Sequence, residues 1–393
     1  MILSTAEFLL PRKGVDMSKW AVIACDQFTS DRAYWDKLNA YVGDAPSTLR
    51  LILPEVYLGD GDGERRAADI YAAMERYCAD GTLEEKRGFV VVDRRQNDGR
   101  HRLGAVAVVD LEEYEYTPRN NARIKATEKT VEERLPARVK LREKALLEAS
   151  HIMLLAENVR PLLEALLKEG EEVYDFELNM NGGHLTGRLI DDESELAAIE
   201  AAALKAHQSL AFVVGDGNHS LAAAKLVWAQ VKETIPQSEW ASCPARYAMC
   251  EIVDIADPSL DFEPIHRLVK GGGEELVVYL ADKLCGSARA KAVYGGKETE
   301  LSVPENSADA IADIQNALDE YAKTTPIVID YVHGDASVLE AAEREGALAI
   351  LMPCIAKAGL FDYTVRRGVL PRKSFSMGNA EDKRYYCEAR KIK

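Results

Sequence analysis

The sequence predicts a mixed α+β (mixed α/β) protein: mixed sheets with hairpins and flanking helices, arranged in two lobes. Three observations carry that reading. Short apolar runs of strand character alternate with helical spacing along the whole chain. Two turn signals, Gln96-Asn97-Asp98-Gly99 and Asn181-Gly182-Gly183, sit between apolar runs and mark hairpins, which a doubly wound parallel sheet does not contain. An apolar run ending at Val214 enters Gly215-Asp216-Gly217, and a helical run leaves it. A chain of 393 residues is long enough for two cores. No Pro/Gly/Ser-rich linker marks a boundary, so the cut is placed just before the Gly-Asp-Gly turn, giving lobes 1–205 and 206–393.

Each element has its own signal. Trp20–Cys25 and Leu49–Leu53 are apolar enough for buried strands, and Asp31–Tyr41 and Glu64–Cys78 show helical spacing. Phe89–Arg94 and Leu103–Val109 form the first hairpin; Val173–Asn179 and Leu185–Ile190 form the second. Pro136 suits a first helical turn and predicts a helix over Ala137–Ala149. Ile152–Ala156 is a short buried strand, and the Ala-rich Glu193–His207 is helical. Tyr247–Ile255 reads as a strand, with weaker ones at Ala290–Tyr294 and Glu300–Val303. Helices follow at Glu274–Leu284 and Ala308–Tyr321, and strands at Pro326–Val332 and Ala347–Met352 bracket a helix at Ser337–Glu345. Arg384–Ile392 alternates like a final strand.

Composition narrows the function. The apolar share is 47% and the charged share 29%, as in an ordinary globular protein. No run of 18 apolar residues exists, so no membrane span is expected. The first residues lack the layout of an export signal, and seven dispersed cysteines without a C-x-x-C pair read as reduced thiols, so a cytoplasmic protein is expected. A net charge of −16 argues against nucleic-acid binding. One segment opposes the trend: residues 119–144 hold nine Lys or Arg against four Glu. A basic island in an acidic chain points to a small anionic ligand.

The turn Gly215-Asp216-Gly217-Asn218-His219-Ser220 is the first candidate site. Gly215 and Gly217 permit positive φ and close ligand approach, and Ser220 or Asn218 can cap the helix. Backbone N–H groups at such a helix start attract anions, phosphate above all. Asp216 has the chemistry to hold a metal or accept a proton, and His219 to donate or shuttle one. In the basic island, Arg138 and Arg142 are four residues apart on one helical face and suit a bidentate grip on phosphate, with Arg123 and Lys125 in the loop before them. His266 and Arg267 are read as facing the same cleft. His184, Arg372 and Lys373 fit structural or surface roles better than a site. Gly63-Glu64-Arg65-Arg66 heads an amphipathic helix and reads as ordinary surface.

These motifs carry a resemblance. The G-D-G-N-H-S turn resembles the hallmark of the uncharacterised DUF1015 family. So do W-A-V-I-A-C-D-Q-F-T-S at 20–30, R-I-K-A-T-E-K-T-V-E-E-R-L-P-A-R-V-K-L-R-E at 123–143, G-G-H-L-T-G at 182–187, P-I-H-R at 264–267 and L-P-R-K-S-F-S-M-G at 370–378. The turn with its Ala-rich helix is also similar, over about 20 residues, to the phosphate-binding strand-turn-helix of the ParB/sulfiredoxin superfamily, which includes free-serine kinases. In those relatives an Arg often follows the His; here Ser220 stands there, so one phosphate ligand that the resemblance implies comes from elsewhere or is absent.

The leading expectation is therefore an enzyme that binds a nucleotide or small phosphorylated metabolite, a small-molecule (amino-acid) kinase or other phosphotransferase, or a phosphate-ester hydrolase. It would use ATP or ADP with Mg²⁺, and Asp216 would be the metal contact. Two alternatives stand beside it. One is a non-catalytic nucleotide-responsive module that binds a protein partner. The other is a hydrolase of another substrate class, whose turn holds a carboxylate.

Overall fold

Every residue of the strand Ile152–Ala156 is buried, because both of its faces are covered. Ile152, Leu154 and Ala156 point into one core with Phe212, Val214, Leu221 and Trp228, while Met153 and Leu155 point into another with Val213, Leu360 and Met377. This period-two split of an unbroken apolar run is what a strand between two layers requires. The computed structural model describes residues 1–23, 28, 31–57, 60–118, 120–378 and 380–393.

Ile152–Ala156 lies near the middle of a large mixed sheet. Phe212–Asp216 runs antiparallel on one side of it and Tyr247–Asp254 parallel on the other. Beyond Tyr247–Asp254 come His101–Asp110, Leu83–Arg95, Ala6–Pro11, Ala389–Lys391 and Leu147–Glu148; beyond Phe212–Asp216 comes Ile124–Ala126. A second sheet is ordered Lys297–Val303, Ala288–Tyr294, Leu348–Leu351, Phe262–Lys270 and Val328–His333. Both expected hairpins are present. Leu83–Arg95 pairs with His101–Asp110 around a turn closed by the Gly99 N–H on the Gln96 carbonyl, and Glu171–Glu177 pairs with His184–Ile190.

The architecture is mixed α+β as expected, but the strand Phe262–Lys270 is unexpected and four other segments differ in detail. Leu49–Leu53 is not a strand: Ser47 caps a single 3-10 turn at Thr48–Arg50, and the Thr48 hydroxyl donates to the Trp20 carbonyl. The helix expected to reach Ala149 ends at Lys144, because Ala145 turns extended and the chain enters the strand Leu147–Glu148. The terminal strand is two short ones, Tyr385–Tyr386 and Ala389–Lys391, in different sheets. Of the expected strand at 20–25, Val22–Ile23 is one, while residues 24 and 25 lie outside the described residues.

Strand pairing also runs across residue 205. Phe212–Asp216, Tyr247–Asp254 and Ala389–Lys391 all belong to the large sheet beside strands from the first half of the chain. The sheets divide near residue 260 instead, and the C-terminal strand returns to the first sheet. The helix Asn218–Lys232 buries Leu221, Ala224 and Trp228 against that sheet and packs beside the basic helix Leu135–Lys144. That pairing of helices sets the site.

Candidate functional site

The strand Phe212–Asp216 is irregular where it matters. Its register against Ile152–Ala156 shifts between Val214 and Asp216, so Gly215 forms a bulge. A bulge adds a residue to one strand and re-aims the next side chain, here Asp216. A Cβ on Gly215 would come within 2.9 Å of Leu155, so the close approach needs glycine. Gly217 then takes φ 91°, a left-handed conformation, and a Cβ there would stand 2.7 Å from Ile152. The helix begins at Asn218 with no side chain capping it. The first N–H groups of a helix have no intrahelical acceptor, so this end carries partial positive charge toward whatever faces it.

A cavity of about 230 Å³ lies in front of that helix start. Its polar lining includes Asp216, Ser220, Arg138, Arg142, His151 and Arg384, with Glu148, Ser150 and Tyr386. Its apolar lining includes Trp35, Leu51, Ile52, Leu53, Met74 and Leu141. A neighbouring recess of about 570 Å³ shares Trp35, Ile52, Leu53 and Pro54 and is edged by Arg65 and Arg66. Those two arginines are paired with Asp60, Asp62 and Asp69.

Three charge clusters shape the cavity. Arg384, buried, donates from Nη1 to Asp216 at 3.0 Å and from Nε to the His151 carbonyl at 3.1 Å. Burial opposes ionisation of Asp216, but Arg384, Lys383 and the Gly217 N–H outweigh it and hold its carboxyl down at about 2. Glu148, also buried, accepts from Arg142 at 2.6 Å, from Arg390 at 2.8 Å and from the Met249 N–H at 2.9 Å. Arg142 Nη2 is buried without a hydrogen-bond partner among the described residues. Behind the cavity, Glu251 sits 3.2 Å from Arg102 Nε and 3.4 Å from His151 Nε2. Burial again opposes its ionisation, and Arg102 and His151 override it, so the Glu251 carboxyl falls to about 2.

The structure thus brings Asp216, Gly217, Ser220, Arg138 and Arg142 onto one cavity. It does not bring the other sequence candidates there. His219 is drawn off by the loop before the basic helix: its Nε2 accepts the Val131 N–H at 3.1 Å. Asn218 donates to Thr127 Oγ1 at 3.4 Å, on the same side. Arg123 grips Glu113 through two hydrogen bonds of 2.8 and 2.6 Å, and Lys125 lies on the strand Ile124–Ala126, where burial lowers its pKa. Neither is among the described residues of the cavity wall.

His266 and Arg267 are corrected outright. They belong to Phe262–Lys270, in the second sheet. His266 Nδ1 accepts the Met352 N–H at 3.0 Å, and Arg267 donates to Gln315 and to the Ile265 and Lys373 carbonyls while stacking on Tyr331. His184 is held between Asp175 and Glu177 on the second hairpin, and Arg372 donates to the Tyr331 hydroxyl.

Arg384, His151 and Glu148 escaped the sequence reading. His151 directly precedes a buried strand, and Arg384 directly precedes the short Tyr385–Tyr386 strand. A polar residue at the mouth of a buried strand is a usable signal, since loops at strand ends carry sites. What places Arg384 beside Asp216, however, is the C-terminal return across 168 residues of chain.

The family model described as "Protein of unknown function (DUF1015)" matches residues 9–337. No curated protein matches. Among solved structures, a free serine kinase in complex with AMP aligns at 11% identity and a TM-score of 0.41, covering 73% of this chain and 92% of that one. A conserved hypothetical protein from Pyrococcus furiosus aligns at 11% identity and a TM-score of 0.36, over 70% and 90% of the two chains. SbnI from Staphylococcus aureus, truncated at its C-terminus, aligns at 8% identity and 0.39, over 70% and 82%. Among the described residues, no helix is long and apolar enough to cross a membrane.

Proposed function

This chain belongs to the DUF1015 family, and from the cavity at its Gly-Asp-Gly turn we propose that it binds a nucleotide or similar phosphorylated small molecule and acts as a phosphotransferase. The observation that carries this reading is a coincidence of donors: the uncapped start of the helix Asn218–Lys232 and the side chains of Arg138, Arg142 and Arg384 line one cavity. Oriented backbone dipoles and guanidinium groups are what a phosphate needs, and Arg142 Nη2 is a buried donor awaiting an acceptor. The opposite wall, with Trp35, Leu51, Leu53 and Met74, suits an apolar or aromatic body attached to that phosphate.

Asp216 holds Arg384 toward the anion position. It is also the carboxylate beside the helix start where Mg²⁺ on a bound nucleotide would find a protein ligand. Among the described residues no group of three or more His, Cys, Asp or Glu could hold a metal. Mg²⁺ in nucleotide sites commonly takes only one or two carboxylates, the phosphates and water supplying the rest.

The test is a thermal-shift and calorimetric screen of ATP, ADP and inorganic phosphate, with and without Mg²⁺, against sulfate and chloride controls. A ligand at ten times its Kd should add about 1.4 kcal/mol of stability. Failure of every phosphate compound to exceed the controls sinks the reading. Binding without consumption of nucleotide would move the regulatory-module alternative ahead.

A further inference from the structure

Neither of the expected proton-handling groups is suited to that work. Asp216 is held ionised by Arg384, and a carboxylate that strongly stabilised is a weak base. His219 already spends its Nε2 lone pair on the Val131 N–H. A third group remains. His151 is 2% exposed and lines the cavity, directly before the strand whose Ile152 touches Gly217. Its Nε2 faces Glu251, which is fixed in turn by Arg102, and its Nδ1 is buried without a hydrogen-bond partner among the described residues. A histidine held at one nitrogen by a carboxylate carries its proton there and leaves the other nitrogen as an acceptor. An unpaired buried acceptor is unfavourable unless something fills it. His151 borders the main cavity and a small void of about 10 Å³ that also borders Glu251, Arg102 and Glu388. The void is too small for anything beyond a single water. Of these two spaces, only the main cavity can supply Nδ1 with a partner larger than a water.

We propose that His151 is the catalytic proton acceptor of this cavity, with Glu251 as the positioning residue that sets its tautomer, and that the acceptor substrate is a small molecule bearing a hydroxyl group. The proposal rests on the phosphate-site reading above. As the hydroxyl oxygen forms a bond to the terminal phosphorus of a nucleoside polyphosphate, its proton passes to His151 Nδ1. The bond from that phosphorus to the bridging oxygen breaks, and its electron pair leaves on the shortened nucleotide. The proton then returns to solvent, which restores the imidazole. Arg384 and Arg142 stand where the transferring oxygens need neutralising, and Glu251 stabilises the imidazolium that forms.

The experiment uses the full chain, Mg·ATP or Mg·ADP as donor, and a panel of hydroxylated amino acids, polyols and sugars with water as the default acceptor. ADP binding is followed separately by calorimetry. His151→Gln, and the smaller His151→Asn, should lower nucleotide consumption by about 100-fold or more while leaving the ADP Kd within about threefold. Glu251→Gln should lower the rate as well, and should shift the acid limb of the pH–rate profile, which a merely structural role would not move. Either folded His151 variant turning over at the wild-type rate overturns the proposal. So does a wild-type protein that binds ADP yet consumes nucleotide with none of the acceptors. If neither variant folds, Glu251→Gln decides: a rate and pH–rate profile unchanged from wild type overturn the proposal. Loss of ADP and phosphate binding in the wild type would instead refute the phosphate site itself.

Discussion

Two regions of this molecule combine a histidine, an arginine and carboxylates, and only one of them lines the cavity at the Gly-Asp-Gly turn. In the second sheet, His266 lies 2.8 Å from Asp335 and takes the Met352 N–H, while Arg267 is fully buried under hydrogen bonds to Gln315 and two carbonyls. Burial pushes the His266 imidazole below its ordinary value, as expected for a ring closed into a core. Around the Gly-Asp-Gly turn, His151, Arg142 and Arg384 are just as tightly held on their inner sides. Their outer sides border a cavity, and Arg142 Nη2 and His151 Nδ1 have nothing to bond among the described residues. Residue type is the same in the two places. Arg267 Nη2 is likewise buried without a hydrogen-bond partner among the described residues, so the difference is not an unmet donor but that Arg142 and His151 line the cavity and His266 and Arg267 do not.

The largest expected effect breaks the closed cluster. Arg267→Ala removes a buried charge and strands the side-chain oxygen of Gln315 and two carbonyls, so denaturant unfolding should show a loss of about 3–5 kcal/mol. ADP affinity of the protein that remains folded should not change; a large change there would join the two regions. Arg138→Ala should do the reverse. This half-buried side chain on the cavity wall should weaken ADP or phosphate binding by about 1.5–3 kcal/mol in calorimetry, with stability within about 0.5 kcal/mol of wild type.

Acid sharpens the contrast further. Asp216 and Glu251 have depressed pKa values, so their contribution is fully present above the unfolded carboxylate range. It is lost as pH falls from about 4 through their folded values of about 2. Asp216→Asn should flatten that part of the stability–pH curve by about 1–2 kcal/mol, allowing for a side chain that is 32% exposed. The smallest effect belongs to His184, whose pKa is raised because Asp175 and Glu177 overcome the opposing effect of burial. Its contribution is present below the ordinary histidine range and disappears as pH rises through the raised value. His184→Gln should therefore cost about 0.2–1 kcal/mol in melts near pH 6 and nothing near pH 9.

Local chemistry makes much of the fold legible in the sequence. The hairpin at Gln96–Gly99 and the buried strand Ile152–Ala156 follow from turn residues and apolar runs, because backbone sterics and burial act over a few neighbours. The missed strand Phe262–Lys270 shows the limit. Pro264, His266 and Arg267 break its alternation, and only packing partners far along the chain make their burial tolerable. Leu49–Leu53 errs the other way: its apolar residues cover Trp20 and line the two recesses instead of pairing in a sheet.

By itself the sequence determined that residues 215–220 form a strand-to-helix turn. It also determined that Arg138 and Arg142 share a helical face, since both are matters of short-range geometry. Only the tertiary structure decided which charges meet. The packing of Leu135–Lys144 beside Asn218–Lys232 carries those arginines to the turn, and the C-terminal return carries Arg384 to Asp216. His151 stands at the mouth of a buried strand, but nothing in the sequence shows that His219 and His266 are tied up elsewhere. The three differ in whether a backbone N–H from a distant segment reached the ring first, and that is fixed by long-range contacts whose partners lie 88, 86 and 100 residues away.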